Sequence, residues 1–435
     1  MSATFKSFAI ANYRVWFAAV TVSNVGTWMQ RTAQDWIVLT QLTDNDAAAV
    51  GVTMALQFVP QLVLSPLTGL VSDLVDRRRL LLLTQAVMGV LGLALGLLTV
   101  LGVLQLWMVM VFALALGITS SFDAPARQTF VADLVPADHL SNAVGLNATS
   151  FNLARLSGPA AAGLLTATIG AGWVFLINAA TFAATIVGLL VLRRAHAGKR
   201  ERPARGPGQM RAGFDYVRRR GDLLLVFGMV ALMGTFGMNF PIYISTMSVE
   251  FDGDAWLFGI LSSALAVGSL TGALFAARRE RPRLRSITLA SAGFGLGLIA
   301  ASLMPGPIAF GVVLAVLGVC AISMLNSSNA YVQTTTDPAV RGRVMSLYMA
   351  IFVGGTFIGA PLVGWVANLA GPRWAMNVGA AAGLLAAAVA AAYYLRMRRR
   401  VLRDTAAAAS GPAVVPADRD EAAAEIAVTE AESQR

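Results

Sequence analysis

The chain has 435 residues, a formal net charge of +10, 57% hydrophobic residues and only 13% charged ones. A soluble domain carries about 25% charge, so this chain has too few polar groups to cover itself against water. With a mean hydropathy of +0.67 it belongs in lipid, and a soluble enzyme or nucleic-acid-binding fold is excluded.

A spanning helix needs roughly 20 apolar residues. Twelve segments meet that need, near 14–40, 47–74, 80–103, 106–131, 141–169, 172–193, 222–248, 255–277, 284–304, 307–334, 342–369 and 373–395. They are apolar all round and lack the period-two alternation of barrel strands, so the expected class is an all-α membrane protein. Span 1 holds Arg31 and Asp35, four apart and therefore on one helix face. Buried ionisable groups in a membrane are costly and mark functional sites. Asp35 is the candidate proton carrier with Arg31 beside it; the alternative is a structural ion pair near the outer interface.

Between spans 2 and 3 runs Gly69-Leu70-Val71-Ser72-Asp73-Leu74-Val75-Asp76-Arg77-Arg78-Arg79. The arginines must lie in water. A carboxylate at Asp73 can pair with Arg or accept bonds from a helix N-terminus, holding two helices together until they part. Such a pair would be a latch; the alternative is that the arginines only orient the hairpin. Span 4 ends with Asp123 and Arg127, again four apart, and Arg127 is a substrate-cavity candidate. Span 5 carries Asn147, Asn152 and Arg155, then Gly158 and Pro159, where small residues allow close packing and proline allows bending. Arg155 should lie near mid-depth, facing a cavity, a partner such as Asp35, or a bound anion. A catecholate-like or acidic substrate would suit a basic cavity, and interhelix hydrogen bonding is the competing role.

Residues 194–221 are the longest polar interruption and have a linker composition, ending in a short amphipathic stretch at Gly213 to Arg218. Span 7 carries Asn239, and span 10 carries Asn326, Asn329, Tyr331 and Gln333 as further cavity candidates; Trp28 and Phe236 can add aromatic walls. Span 11 contains Pro361, a second helix-bending candidate. The Ala-rich tail is expected to be disordered. The domain reading is 1–193 and 222–397 as two membrane units, 194–221 as linker and 398–435 as tail.

The two units repeat. An offset of 202 residues lays Pro136 on Pro338 and Pro159 on Pro361, and an offset of 203 lays Gly69 on Gly272. Arg and Lys cluster after even-numbered spans, at Arg77 to Arg79, 193–220, Arg278 to Arg285, Arg341 with Arg343, and Arg396 to Arg403. The opposite loops carry Asp44, Asp46, Glu250, Asp252 and Asp254, with Arg373 their sole basic residue. By the positive-inside rule both termini are cytoplasmic, which implies the plasma (inner) membrane of a prokaryote. Cys320 is the single cysteine, so no internal disulfide can form. The N-terminus shows no cleavable signal, and span 1 reads as a retained helix.

The pattern Gly69, Asp73, Arg77, Arg78 resembles the loop 2–3 motif of the major facilitator superfamily, with Asp76 where that motif has a second glycine. Gly26-Thr27-Trp28-Met29-Gln30-Arg31, Ala124-Pro125-Ala126-Arg127-Gln128 and Phe151-Asn152-Leu153-Ala154-Arg155 look like the branch that includes the enterobactin exporter. The resemblance covers about 10–397. It implies twelve transmembrane helices in two six-helix bundles related by a pseudo-twofold axis, with a substrate path at their interface. It also implies gating at Gly69, Asp73, Arg77 and Arg78. Gly158 and Pro159 approximate the span-5 motif of antiporters, with Ala154 replacing its upstream glycine. The expected function is export of a small amphipathic organic molecule, of drug or siderophore type, coupled to protons. An importer or uniporter on the same fold and a transport-inactive sensor are the alternatives. No G-x-x-x-x-G-K-[ST], H-E-x-x-H or G-x-S-x-G sequence occurs, so neither ATP hydrolysis nor enzyme chemistry is expected. The expected partners are the bilayer, a small-molecule substrate and protons, with no cofactor, metal or nucleic acid, in a monomer.

Overall fold

A computed structural model describes residues 3–192, 209–277 and 283–409. Every regular element among them is helical. The helices are α1 (Ala11–Thr40), α2 (Ala47–Val63), α3 (Ser65–Leu74), α4 (Arg77–Val100), α5 (Leu106–Leu134), α6 (Ala137–Ile169), α7 (Ala171–Val191) and α8 (Gln209–Arg219). They continue as α9 (Gly221–Leu232), α10 (Phe240–Glu250), α11 (Ala255–Ala277), α12 (Leu284–Ser302), α13 (Pro307–Thr335), α14 (Arg341–Ala370) and α15 (Pro372–Ala409).

Among the described residues nine helical segments are long and apolar enough to cross a membrane, counting α9 and α10 as one. The three remaining segments expected from the sequence fall on α1, α2 with α3, and α6. Helices α1 and α6 have the length, but Asn24, Gln30, Arg31, Gln34 and Asp35 dilute one, and Asn147, Asn152 and Arg155 the other. The expected span 47–74 is broken at Leu64. Pro66 has no N–H for the Leu62 carbonyl, and the Ser65 hydroxyl donates to it instead at 3.0 Å.

The seventh span is also interrupted. Met233–Gly237 forms one π-helical turn, and the Met238 N–H reaches the Met233 carbonyl at 2.9 Å. Two freed carbonyls find side-chain donors. The Asn239 amide donates to Thr235 at 2.8 Å, and the Tyr243 hydroxyl donates to Phe236. Breaks of this kind at membrane depth survive only where freed carbonyls are re-satisfied. At the other end of the chain α15 runs on to Ala409, through the start of the segment 398–435 expected to be disordered. Its Ala and Arg residues are strong helix formers. Of the expected linker 194–221, residues 194–208 lie outside the described residues, as does the tail from 410; the amphipathic stretch is α8.

Helices α4, α5 and α7 pack among the N-terminal helices, and α12, α13 and α15 among the C-terminal ones. The two groups meet chiefly through α2 on α14 and α6 on α11. At the end of the molecule bearing Asp46, the contact is backbone-close. A side chain at Gly51 would strike the Ala360 carbonyl, and one at Gly364 the Ala47 carbonyl. Gly163 and Gly259 likewise let α6 and α11 touch, with a Cβ on Gly163 only 2.9 Å from the Gly259 Cα. Trp36 of α1 stacks on Phe258 of α11 at 5.7 Å. Asp46 caps α2 through the Ala48 and Ala49 N–H groups and also accepts from the Asn368 amide at 2.6 Å. The Asn368 Oδ1 in turn accepts the Ala47 N–H at 2.8 Å.

Candidate functional site

Trp28, Arg31 and Asp35 lie at spacings of three and four along α1, so they share a face. The Arg31 guanidinium sits 5.6 Å from the ring centres of both Trp28 and Phe58, between α1 and α2. Arg155 lies over the same Trp28 ring at 5.9 Å. Phe151, one turn earlier on α6, meets Trp28 edge-on at 5.9 Å. Gly158, on that same face of α6, leaves room for the Trp28 Cβ, which would come within 2.5 Å of a Cβ added there. The small residue expected to help bend the helix therefore lets α6 approach the α1 backbone at Val25, Trp28 and Met29. Pro159 and Pro361 both sit inside continuous helices, where each removes one backbone donor.

The spacing of Arg31 and Asp35 suggests a pair. Asp35 is buried, 7% exposed, and close enough to feel the Arg31 charge. Among the described residues, however, the Arg31 guanidinium forms no ion pair with it and rests on the two rings instead. Arg31 also lines a cavity of about 30 Å³, together with Thr27, Gln30, Gln57, Ser120 and Asn178 among others. In this state it has room for a water-sized guest. Beside it the Asn178 amide donates to Gln30 at 2.6 Å.

Arg127, expected in the cavity, is committed elsewhere. Its Nε donates to Asp123 at 2.5 Å and its Nη1 to Asn24 of α1 at 3.4 Å. Asp123 also accepts from Thr84 at 2.7 Å and Gln85 at 2.8 Å, both on α4. This five-residue knot ties α1, α4 and α5, and its α4 members escaped the sequence reading because Thr and Gln in an apolar run carry no pattern of their own. Asn147 accepts from the Tyr13 hydroxyl at 3.3 Å, a contact to α1. Asn152 donates to the Ala148 carbonyl of its own helix.

Among the C-terminal candidates, Asn239 is fully buried and its Oδ1 has no partner among the described residues. Asn326 is exposed, and Asn329 accepts from Gln333 at 2.8 Å. Tyr331 donates to Asp222 at 3.0 Å, and Arg220 grips the same carboxylate with two bonds of 2.9 and 2.7 Å. Those bonds hold the Arg220 guanidinium above its ordinary pKa. Tyr331 thus ties α13 to the start of α9, near the end of the molecule bearing Arg77.

In the loop motif, the Arg77 Nη1 donates to both carboxylate oxygens of Asp133 of α5, each at 2.9 Å, and Arg78 donates to the Leu190 carbonyl of α7 at 3.0 Å. Asp76 caps α4 through the Arg79 N–H at 2.9 Å. That accounts for an aspartate at the position where the loop motif has glycine. The side chains of Gly69 and Asp73 lie outside the described residues. Asp133 was missed as a partner because only the fold sets the end of α5 beside the start of α4.

A family model described as transmembrane secretion effector matches residues 2–425. The staphyloferrin A transporter of Staphylococcus aureus is 23% identical over 342 residues, covering 77% of this chain and 85% of the relative. The enterobactin exporter EntS of Shigella boydii is 26% identical over 338 residues, covering 76% and 80%. Among solved structures, the nucleoside transporter NupG matches with a TM-score of 0.70 at 13% identity, covering 88% of this chain and 99% of that one. That last likeness is one of fold.

Proposed function

Because the chain belongs to the transmembrane secretion effector family of major facilitator transporters, we propose that it exports a small amphipathic organic molecule by alternating access, driven by the proton gradient. The family and the relatives are transporters and not enzymes. Relatives named for staphyloferrin A transport and enterobactin export support an exported organic substrate.

In this reading the chain crosses the membrane twelve times in two six-helix bundles, 1–193 and 222–397, joined by 194–221. Helices α2 and α3 make one broken crossing, and α9 and α10 another. The Arg77 end and both termini face the cytoplasm of a bacterium, as the basic loops require. The observation that carries the proposal is the joint between the groups: α2–α14 and α6–α11 pack backbone-close at the Asp46 end. A path closed at that end is one of the two states alternating access needs. Gly69, Asp73, Arg77 and Arg78 form the latch that engages in the opposite state. Asp35, buried beside Arg31, carries the proton.

Transport of a substrate panel in proteoliposomes, with and without an imposed pH gradient, tests this reading. Gradient-dependent accumulation in inside-out vesicles, abolished by Asp35→Asn, is the expected result. Gradient-driven transport left intact by Asp35→Asn would remove the coupling role. Equilibration without a gradient, or uptake in the opposite sense, would turn the reading to a uniporter or importer.

A further inference from the structure

Arg31 and Arg155 share a property that no other described arginine in the spans has: both lie on the faces of aromatic rings, and neither makes a hydrogen bond or ion pair to any described residue. Arg127, by contrast, is matched by Asp123. Stacking on a ring uses the face of a guanidinium and leaves its in-plane N–H fork open, the part that binds carboxylate or phosphate with two parallel bonds. A charge at membrane depth with unfilled donors is costly, so a ligand that supplies acceptors gains what the protein withholds.

The surrounding charges point the same way. Along α1, α5 and α6 within the spans, Arg31, Arg127 and Arg155 stand against Asp35 and Asp123, and Asp123 is already used. Across the path, α10, α11, α13 and α14 carry no Asp or Glu except Glu250 at the far end of α10. The centre is left with excess positive charge walled by Trp28, Phe58 and Phe151. Two helices contribute the cations, and Gly158 lets α6 lie close against α1 beside Trp28.

We infer that this cluster is the specificity site of the transporter and selects an organic anion, an aromatic or otherwise planar molecule bearing a carboxylate or a comparable acid group, through the free edges of Arg31 and Arg155. The inference rests on the transport reading above and adds the chemical class of the cargo.

The test is a charge-matched series of probes binding the purified full-length protein in nanodiscs: 1-naphthoate, the neutral 1-naphthamide, and the cationic 1-naphthylmethylammonium. The naphthoate is expected to bind roughly tenfold or more tightly than either analogue, a difference of about 1.4 kcal/mol, and to weaken as salt rises. Arg155→Gln and Arg31→Gln should each collapse that preference, while Arg155→Lys, which keeps the charge without the fork, should retain part of it. Unchanged thermal unfolding of the variants shows that the loss is not a folding defect. The proposal is overturned if the amide or the ammonium binds as well as the acid, if both Gln variants keep the preference, or if none of the series binds at millimolar concentration. Transport in vesicles is scored separately. Gradient-driven movement of neutral or cationic probes without anion preference sinks this inference alone. Anion-selective binding without any transport sinks the transport reading alone.

Discussion

The Asp46 end and the Arg77 end of the molecule are held by opposite means. At the Asp46 end, helices far apart in sequence touch backbone to backbone, α2 on α14 and α6 on α11, with one Asp46–Asn368 clasp across the joint. Towards the Arg77 end the bonds are ionic and stay local: Arg77 to Asp133, Arg127 to Asp123, Arg220 to Asp222. Each of those joins neighbours within one group of helices. Charge braces each group, and close packing of small residues joins the groups. A joint made of small residues can open without leaving unpaired charges in lipid, whereas a charged joint could not.

The largest test of that division is Asp123→Asn. It leaves Arg127 buried and short of its partner, and losing one member of a buried pair costs about 3–5 kcal/mol. The apparent melting temperature of the purified protein should fall steeply, while spin labels placed at 46 and 368 keep their separation. A melting temperature unchanged from wild type would mean that the knot braces nothing.

Next comes Gly364→Leu. The new side chain meets the Ala47 carbonyl, which cannot move without moving α2. Overpacking of this kind costs about 1–3 kcal/mol, and here it should appear as a longer 46–368 distance and lost transport. An unshifted distance would contradict the close joint. Asn368→Ala removes two hydrogen bonds at the clasp, each contributing about 1 kcal/mol. Its expected effect is faster labelling of a cysteine placed at position 47, with little change in melting.

The smallest effect lies on the surface. Lys6 donates to Asp138 at 2.9 Å, and that hydrogen bond, helped by His139, holds the Asp138 carboxyl down at about 2. A depressed carboxyl favours the folded state above its unfolded pKa of about 3.9 and loses that contribution as pH falls towards 2. Lys6→Ala should move the Asp138 titration upward, as read by NMR of labelled aspartate. A midpoint that stays near 2 would show that Lys6 does not set it.

Much of this architecture is written in the sequence, because lipid imposes simple rules. Long apolar runs, arginine-rich turns and the prolines at 159 and 361 suffice for an all-helical membrane protein of this family. The positions of the breaks at Leu64 and at Met233–Gly237 were not legible, since an apolar run reads the same whether it is continuous or kinked. Polar residues within the spans were found readily, but their partners were not. Arg127 and Arg155 look alike in sequence; one is neutralised by Asp123 and the other lies open over Trp28. Only the relative rotation of α5 and α6 about their axes tells them apart, and no local pattern encodes it. Trp28 stands out as an aromatic wall, whereas its shared use by Arg31 and Arg155 depends on how closely α1 and α6 pack.

The π-turn at Met233–Gly237 has a mechanical consequence. On one side of it, α9 packs on α13, α14 and α15; on the other, α10 packs on α11, α14 and α15 and also reaches across to α1 and α2. A stiff rod would transmit every tilt of one segment to the other. With a swivel between them, where Asn239 and Tyr243 hold the loosened carbonyls, the far segment can twist away from α1 while the near one stays anchored in its own neighbourhood.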